Sequence, residues 1–504
     1  MKIWRNSLVF LVFVLFAAAL TGNLPATSGR GNEAGECFTV LVGKDASADG
    51  SVMIAHNEDD RGDIIVNLRK IKAHDYGGPR KVALGGDVFH ETDGKTAGFL
   101  WIEATAQEFA DTFINEHGVV ITSDGCPSRV TTADVTGEGL GWLLRLLTAG
   151  EATSAREAVR IAGELVEKYG YRASGRTYAI VDKNEAWLLA VLRGRHWYAE
   201  RVPDGEVAVI PNYFTIRGIR PEDTDNFMGS PDIIEFAVKN GLYDKAKDGP
   251  FDFKKGFDRT SRRPPVADGN SLRHWRGLVL LSGRDWQVGG DYPFSVRPAK
   301  KVTAEALMAV LRDHYEGTEY DATNGYRTGT PNRTKFRTIC TASTINAFVI
   351  SLNRNRPEPV SVAIWLALGK PDTTVFLPLY HGLTNLPPEA GLGTTTHDFE
   401  LFRREHFEDG VFKAGQGRLL RTKILELEKA VEANYGPMRV VLGEKLFPAE
   451  KEFIKGRPEF EARFSSLYQK NRQAALKELD EYVASAFKKI GRLTAELLKP
   501  SPAE

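Results

Sequence analysis

Three cysteines in 504 residues are too few for a disulfide framework. Cys37, Cys126 and Cys340 allow at most one bridge and leave one thiol over. Histidine is sparse at ten, and no His-x-x-x-His or Cys-x-x-Cys grouping occurs, so no structural zinc site and no catalytic metal are expected. Cys126 and Cys340 read as small hydrophobes or as a pair. His314 and His381, each beside an aromatic residue, read as packing groups. Excess charge is missing as well. Lys+Arg and Asp+Glu are both 66, which leaves no basic footprint for nucleic acid. No Gly-rich loop precedes a helix, so neither a nucleotide nor any other cofactor is expected. Beyond Leu20 no apolar run approaches the roughly 20 residues that a membrane span needs. No internal repeat or low-complexity tract is found.

The chain opens on an address. Lys2 and Arg5 precede a 13-residue apolar run, Leu8 to Leu20, which is short for a span and suits a signal peptide over 1–26. Export follows as the expectation, to the medium or the space outside the inner membrane. Residues 27–36, TSGRGNEAGE, are small and polar and read as a propeptide or linker. A lipidated Cys37 is disfavoured, because sixteen residues separate Leu20 from Cys37 and Glu36 precedes the thiol.

Pattern begins at Cys37. CFTVLV (37–42) is β-branched and apolar, Asp49-Gly50 signals a turn, and VMIA (52–55) follows as a second strand. Further strands are expected over 118–123, 177–181, 186–192, 206–210, 360–366 and 375–379. Ser154 and Glu157 form a capping-box pattern before an amphipathic stretch to Tyr169. A second helix is expected over 303–315. Strands and helices in separate blocks point to an α+β fold. From about Gly410 the composition turns to Lys, Glu, Ala and Leu with helical spacing over 419–433 and 459–498, giving a helical C-terminal extension, 411–504, with a solvated charged face.

Hairpin geometry brings chemistry to one place. In an antiparallel hairpin turning near 48–50, residue 37 meets residues 58–61. A thiol then sits beside His56-Asn57-Glu58-Asp59. An odd thiol in an exported chain, next to an imidazole and two carboxylates, points to nucleophilic chemistry.

The run CFTVLVGKDASADGSVMIAHNED resembles the N-terminal signature of the dipeptidase A type of cysteine N-terminal-nucleophile (Ntn) hydrolases, relatives of penicillin V acylase and bile salt hydrolase. Similar segments follow: YAIVDKNEAWLLAV (178–191), VAVIPNYFTI (207–216), NSLRHWRGLVLLSG (270–283), RDHYEGTEYD (312–321) and VFLPLYHG (375–382). The resemblance implies an αββα four-layer sandwich over 37–410 that hydrolyses small peptides, dipeptides first, through a thioester. It implies that autoprocessing before Cys37 frees an α-amine to act as base. Asp59 would hold that amine, Asn212 would stabilise the oxyanion, and Arg273, with Arg276 the alternate three residues on, would support the nucleophile. His56, Asn57 and Asp124 are substrate-side candidates. Arginine is common in the family at the position of His56, and an imidazole there would make activity more pH-dependent. A non-peptide amide as substrate, or an inert exported binding protein of the same fold, are the alternatives. The expected partner is a small peptide, with a homo-oligomer allowed; neither nucleic acid nor, after leader removal, membrane is expected.

Overall fold

The structure, a computed structural model, describes residues 37–260, 267–321, 323–327, 329–408 and 415–499. The expected leader and linker, and the expected boundary at 410/411, lie outside the described residues. Two antiparallel sheets organise the chain. The first runs, in spatial order, Val207–Ile210, Phe38–Val42, Val52–Asp59, Thr344–Leu352, Val362–Ala367 and Leu377–Tyr380. The second runs Phe227–Gly229, Trp197–Val202, Ala186–Gly194, Tyr171–Val181, Val120–Gly125, Thr112–Asn115, Phe99–Ala104 and Val66–Ile71.

Period-two alternation on these strands builds four layers. Call Phe38–Val42 β1 and Val52–Asp59 β2. Phe38, Val40, Val42, Met53 and Ala55 share a core with Leu278, Leu307 and Leu311 of helices Gly269–Ser282 and Ala304–Leu311. Leu41, Val52 and Ile54 point the other way, into a core with Ala179, Leu188 and Ala190 of the second sheet. The far side of that sheet, with Ile121, Ile180, Trp187 and Leu189, packs on helices Leu143–Glu151 and Ala155–Tyr169. The order is therefore helices, sheet, sheet, helices, the expected αββα sandwich. Each fully buried Leu, Ile or Val contributes about 1.5–3 kcal/mol, and a one-residue slip of β2 on β1 would turn all of its residues to the wrong face.

The C-terminal helices Leu420–Ala433, Tyr435–Lys445, Phe447–Lys470 and Arg472–Leu497 contribute Leu420, Ile424, Leu427, Phe460, Phe464 and Leu479 to the same core as the facing sheets. Phe447–Lys470 and Arg472–Leu497 pack beside the edge strand Leu377–Tyr380. Within the helical stretch expected over 459–498 two helices meet at Asn471, whose backbone is extended and whose side chain accepts from Ala474 N–H at the start of the second. The expected helix 303–315 ends at Leu311. There Arg312 leaves to pair with Glu450, and Tyr315 takes a left-handed φ of 66°. At the other cap, Ser154 does accept Glu157 N–H, but the Glu157 carboxylate bonds back to Thr153 N–H rather than to Ser154.

Candidate active site

The register of β1 with β2 pairs Phe38 with Asn57 and Thr39 with His56, so Cys37 comes opposite Glu58 as the hairpin argument requires. On its other side β1 pairs Thr39 with Ile210. Two residues further, Cys37 and Asn212 arrive at the same strand end. Alternation puts Cys37, Thr39, His56 and Glu58 on the face turned to the second sheet, and all four are buried.

A chain of hydrogen bonds runs across this face. The Cys37 thiol donates to Glu58 Oε1 at 2.9 Å. Glu58 Oε2 lies 3.1 Å from His56 Nε2. His56 Nδ1 lies 2.7 Å from Thr39 Oγ1, and Thr39 donates to Asp124 Oδ2 at 2.7 Å. His56 also stacks on Phe348, ring centroids 5.2 Å apart. The second oxygen of Asp124 has no hydrogen-bond partner among the described residues. Burial pushes the Asp124 carboxyl up to about 6, against the pull of His56 and the Thr39 hydroxyl. Burial, then the charges of Glu58, Asp124 and Asp59, push the Cys37 thiol well above its usual range. Each of these influences favours the protonated form of the thiol.

A second set of contacts holds the backbone of Cys37. Arg273, on helix Gly269–Ser282, donates from Nη1 to the Cys37 carbonyl at 2.8 Å and from Nη2 to Asn212 Oδ1 at 2.8 Å. One planar fork thus ties Cys37 to Asn212 and fixes which way the Asn212 amide presents its N–H groups. Arg276 makes a bidentate pair with Asp313 instead, at 2.8 and 2.7 Å, so of the two arginines it is Arg273 that reaches Cys37. Asp59 accepts from Thr344 Oγ1 at 2.5 Å and from Arg337 Nη2 at 2.8 Å. Burial raises its carboxyl well above the ordinary range, the nearby Arg273 charge opposing.

Asn57 is not brought into this group. Its amide donates to the carbonyls of Leu311 and Ile339, both at 2.9 Å, so it straps the helical layer to the outer face of β2. Thr39, Arg176, Arg337 and Thr344 join the site's surroundings without having been singled out, and Glu58, which the hairpin argument set beside Cys37, was given no role. The signals for Thr39 and Glu58 were the alternation of β1 and the hairpin register. For Arg176 the signal was a charge inside an apolar strand; it is buried and donates to Ser123 Oγ at 3.2 Å. A surface cavity of about 900 Å³, lined by His74, His90, Glu91 and Glu151, contains none of the candidate residues.

All three cysteines are free and buried. Cys340 is not simply a hydrophobe: its thiol donates to Asp372 Oδ1 at 3.3 Å. Asp372 also accepts from Asn332 Nδ2 at 3.0 Å and from Tyr435 at 2.6 Å. His314 is polar too, with Nε2 3.1 Å from Asn332 Oδ1, and His381 faces Glu358 at 3.0 Å. These are pairings over long sequence separations that local aromatic neighbours do not reveal. Among the described residues two triads, Cys37–His56–Glu58 and His314–Cys340–Asp372, hold potential metal donors within 4.8 Å of one another, although no local spacing motif announces either.

The sequence profile of Peptidase family C69 matches residues 36–81 and 130–402. The chain belongs to peptidase family C69. The C69 match starts one residue before Cys37 and takes in β1, β2, Asn212 and Arg273, whereas Asp124 falls between its two segments. A protein named "Probable dipeptidase" from Salmonella dublin is 26% identical over 373 residues, covering 70% of this C69 chain and 82% of its own. Another of that name from Latilactobacillus sakei is 28% identical over 442 residues, covering 79% and 89%. A "Dipeptidase" from Bifidobacterium longum is 29% identical over 408 residues, covering 73% and 75%. Among solved structures, a mutant of the conjugated bile acid hydrolase from Clostridium perfringens aligns with 68% of this chain and 92% of its own, at 11% identity and a TM-score of 0.32.

Proposed function

We propose that this C69 peptidase is an exported cysteine dipeptidase in which autoprocessing of the Glu36–Cys37 bond makes Cys37 the N-terminal nucleophile. The observation that supports this most directly is the junction at Cys37. A thiol, the Asn212 amide and the Arg273 guanidinium converge there from segments more than 50 residues apart in sequence. The dipeptidase names of the relatives support the substrate class, and the apolar run before residue 21 supports export.

Cleavage frees an α-amine whose ordinary pKa is about 7.7–8. The amine takes the thiol proton as Sγ adds to the peptide carbonyl carbon. Charge moves to the carbonyl oxygen, where the Asn212 N–H stabilises it. Collapse breaks the C–N bond, the α-ammonium gives its proton to the departing amine, and a thioester remains. Water then adds to the thioester while the α-amine takes its proton. The second collapse expels the Cys37 thiolate, which is protonated again from the ammonium. Asp59 holds the ammonium form between these steps, and Arg273 keeps the Cys37 carbonyl and Asn212 in register. No residue outside the chain is needed as acid or base.

The test combines the intact mass and N-terminus of the mature protein, expressed with its leader, with a panel of dipeptides and N-acylated amino acids. A chain starting at Cys37 that cleaves the dipeptides is expected. An active protein with residues upstream of Cys37, or turnover of the N-acylated compounds alone, would overturn this reading. A chain that cleaves nothing would leave the binding-protein alternative standing.

A further inference from the structure

A carboxylate touching a nucleophilic thiol is an unfavourable arrangement for catalysis unless a cation joins it. A negative charge beside Sγ disfavours the thiolate. Glu58 Oε1 sits 2.9 Å from Cys37 Sγ. Its other oxygen is engaged by His56, which leaves Oε1 turned to the reacting atom. When the thiol gives up its proton, Oε1 loses its donor in a buried setting and requires another.

We propose that Glu58 Oε1 is the receptor for the free α-ammonium of the substrate, so that the enzyme selects peptides cut after their first residue. The inference rests on the dipeptidase reading above and names the group that enforces it. Covalent geometry allows it. In a peptide attacked at its first carbonyl, the ammonium nitrogen lies about 2.5 Å from the carbonyl carbon, and the attacking sulfur lies roughly 3–3.5 Å from that carbon. An oxygen 2.9 Å from Sγ can therefore come within hydrogen-bond reach of that nitrogen. The same ammonium neutralises Glu58 and removes its opposition to the thiolate. An N-acylated peptide brings no proton donor with a positive charge and leaves Oε1 buried, charged and unpaired. Recognition of the first residue of the substrate thus completes the activation that the α-amine of Cys37 begins. His56 positions the carboxylate, and Thr39 positions His56.

The measurement is kcat/KM for matched substrates: a free dipeptide amide, its N-acetyl form and its desamino analogue. Wild type should prefer the free amine to either analogue by about 100-fold or more. Glu58→Gln should collapse that ratio towards unity, whereas Glu58→Asp, which keeps the charge, should retain part of it. Each variant is first checked for an N-terminal Cys37 by mass. A Glu58→Gln enzyme that loses activity on both substrates in parallel and keeps the ratio would overturn the assignment and make Glu58 a support of the thiol. Should neither variant fold, equal wild-type rates on the dipeptide and its desamino analogue would still refute an ammonium receptor. Wild-type turnover of N-acylated compounds alone would instead sink the dipeptidase reading itself.

Discussion

Asn212 offers the sharpest separation of a catalytic from a structural role, because its two amide atoms have different duties. Oδ1 accepts from Arg273 Nη2 at 2.8 Å. The N–H side, by the proposed mechanism, meets the developing oxyanion. Asn212→Ala removes both. The lost charge-assisted hydrogen bond should cost roughly 1.5–3 kcal/mol of stability, a few degrees of Tm in a chain this large. The lost oxyanion donor should lower kcat by about 100-fold or more, roughly 2.7–4 kcal/mol, with KM changed far less. Asn212→Asp removes only one. Its carboxylate still accepts from Arg273, so Tm should stay within about a degree or two of wild type. It offers no N–H, however, and sets a negative charge against the oxyanion, so kcat should fall at least as far as in the alanine variant. The assay is steady-state hydrolysis of one dipeptide by protein whose N-terminus has been confirmed as Cys37, with Tm measured on the same preparation. If Asn212 only joins the strand end to Arg273, the aspartate variant keeps both stability and turnover. A near-normal kcat in Asn212→Asp would therefore refute the oxyanion assignment.

Cys37→Ala should abolish turnover and leave Tm close to wild type, and Cys37→Ser should retain only slow processing and trace activity, since a hydroxyl is far less ionised than a thiol; mass spectrometry with the dipeptide assay checks both. Zinc should inhibit the mature enzyme rather than activate it, because the donor atoms of Cys37, His56 and Glu58 lie within 4.8 Å of one another and an ion there would occupy the thiolate; an increase in rate on adding zinc would count against the mechanism. Asp124, whose buried carboxyl is pushed up to about 6, favours the folded state in its protonated form. That contribution is complete below the unfolded pKa near 4 and disappears as pH rises through about 6. Asp124→Asn, uncharged throughout, should thus gain stability over wild type at pH 7.5 relative to pH 5, by about 1.4 kcal/mol, visible as a flatter plot of Tm against pH.

The hairpin and its consequence were legible because they rest on local pattern. CFTVLV, Asp49-Gly50 and VMIA specify two strands and a turn, and counting back from the turn brings Cys37 to Glu58. The family resemblance added Asn212 and Arg273, which lie far away in sequence, and the fork of Arg273 distinguishes it from Arg276 by contact. Other strands were missed for physical reasons. Val66–Ile71 (VNLRKI) carries Asn67 and Arg69 at buried positions, where Arg69 is paired with Glu103 at 2.7 Å, so its polarity hides its burial. Thr344–Leu352 (TINAFVISL) is apolar on both faces because it is central in the first sheet, and it lacks the alternation that marks a half-exposed strand. The network around Asp372 joins Cys340, Asn332 and Tyr435 across four loops and helices, a set of pairings that no window along the chain can reveal.

On the proposed maturation, the same electrostatics would give latency before processing and reactivity after it. While Cys37 is joined to Glu36, its thiol is buried and faces the charges of Glu58, Asp124 and Asp59. All of these favour the proton staying on sulfur. Cleavage changes one thing near that sulfur: it adds an amine that can carry a positive charge on the same residue. At about 4 Å and an effective dielectric near 20, a unit charge is worth about 4 kcal/mol, or roughly three pKa units. That is enough to offset much of what the carboxylates impose. Alkylation by iodoacetamide reads this directly. The Cys37 thiol of the mature chain should react at least about 100-fold faster at pH 7.5 than that of a chain kept unprocessed by replacing Glu36 with proline. Cys126 and Cys340, both buried and both raised by burial, should be slow in each and serve as internal references. Equal rates at Cys37 in the two chains would mean that the free amine does not control the thiol, and the carboxylates around it would then need another counter-charge.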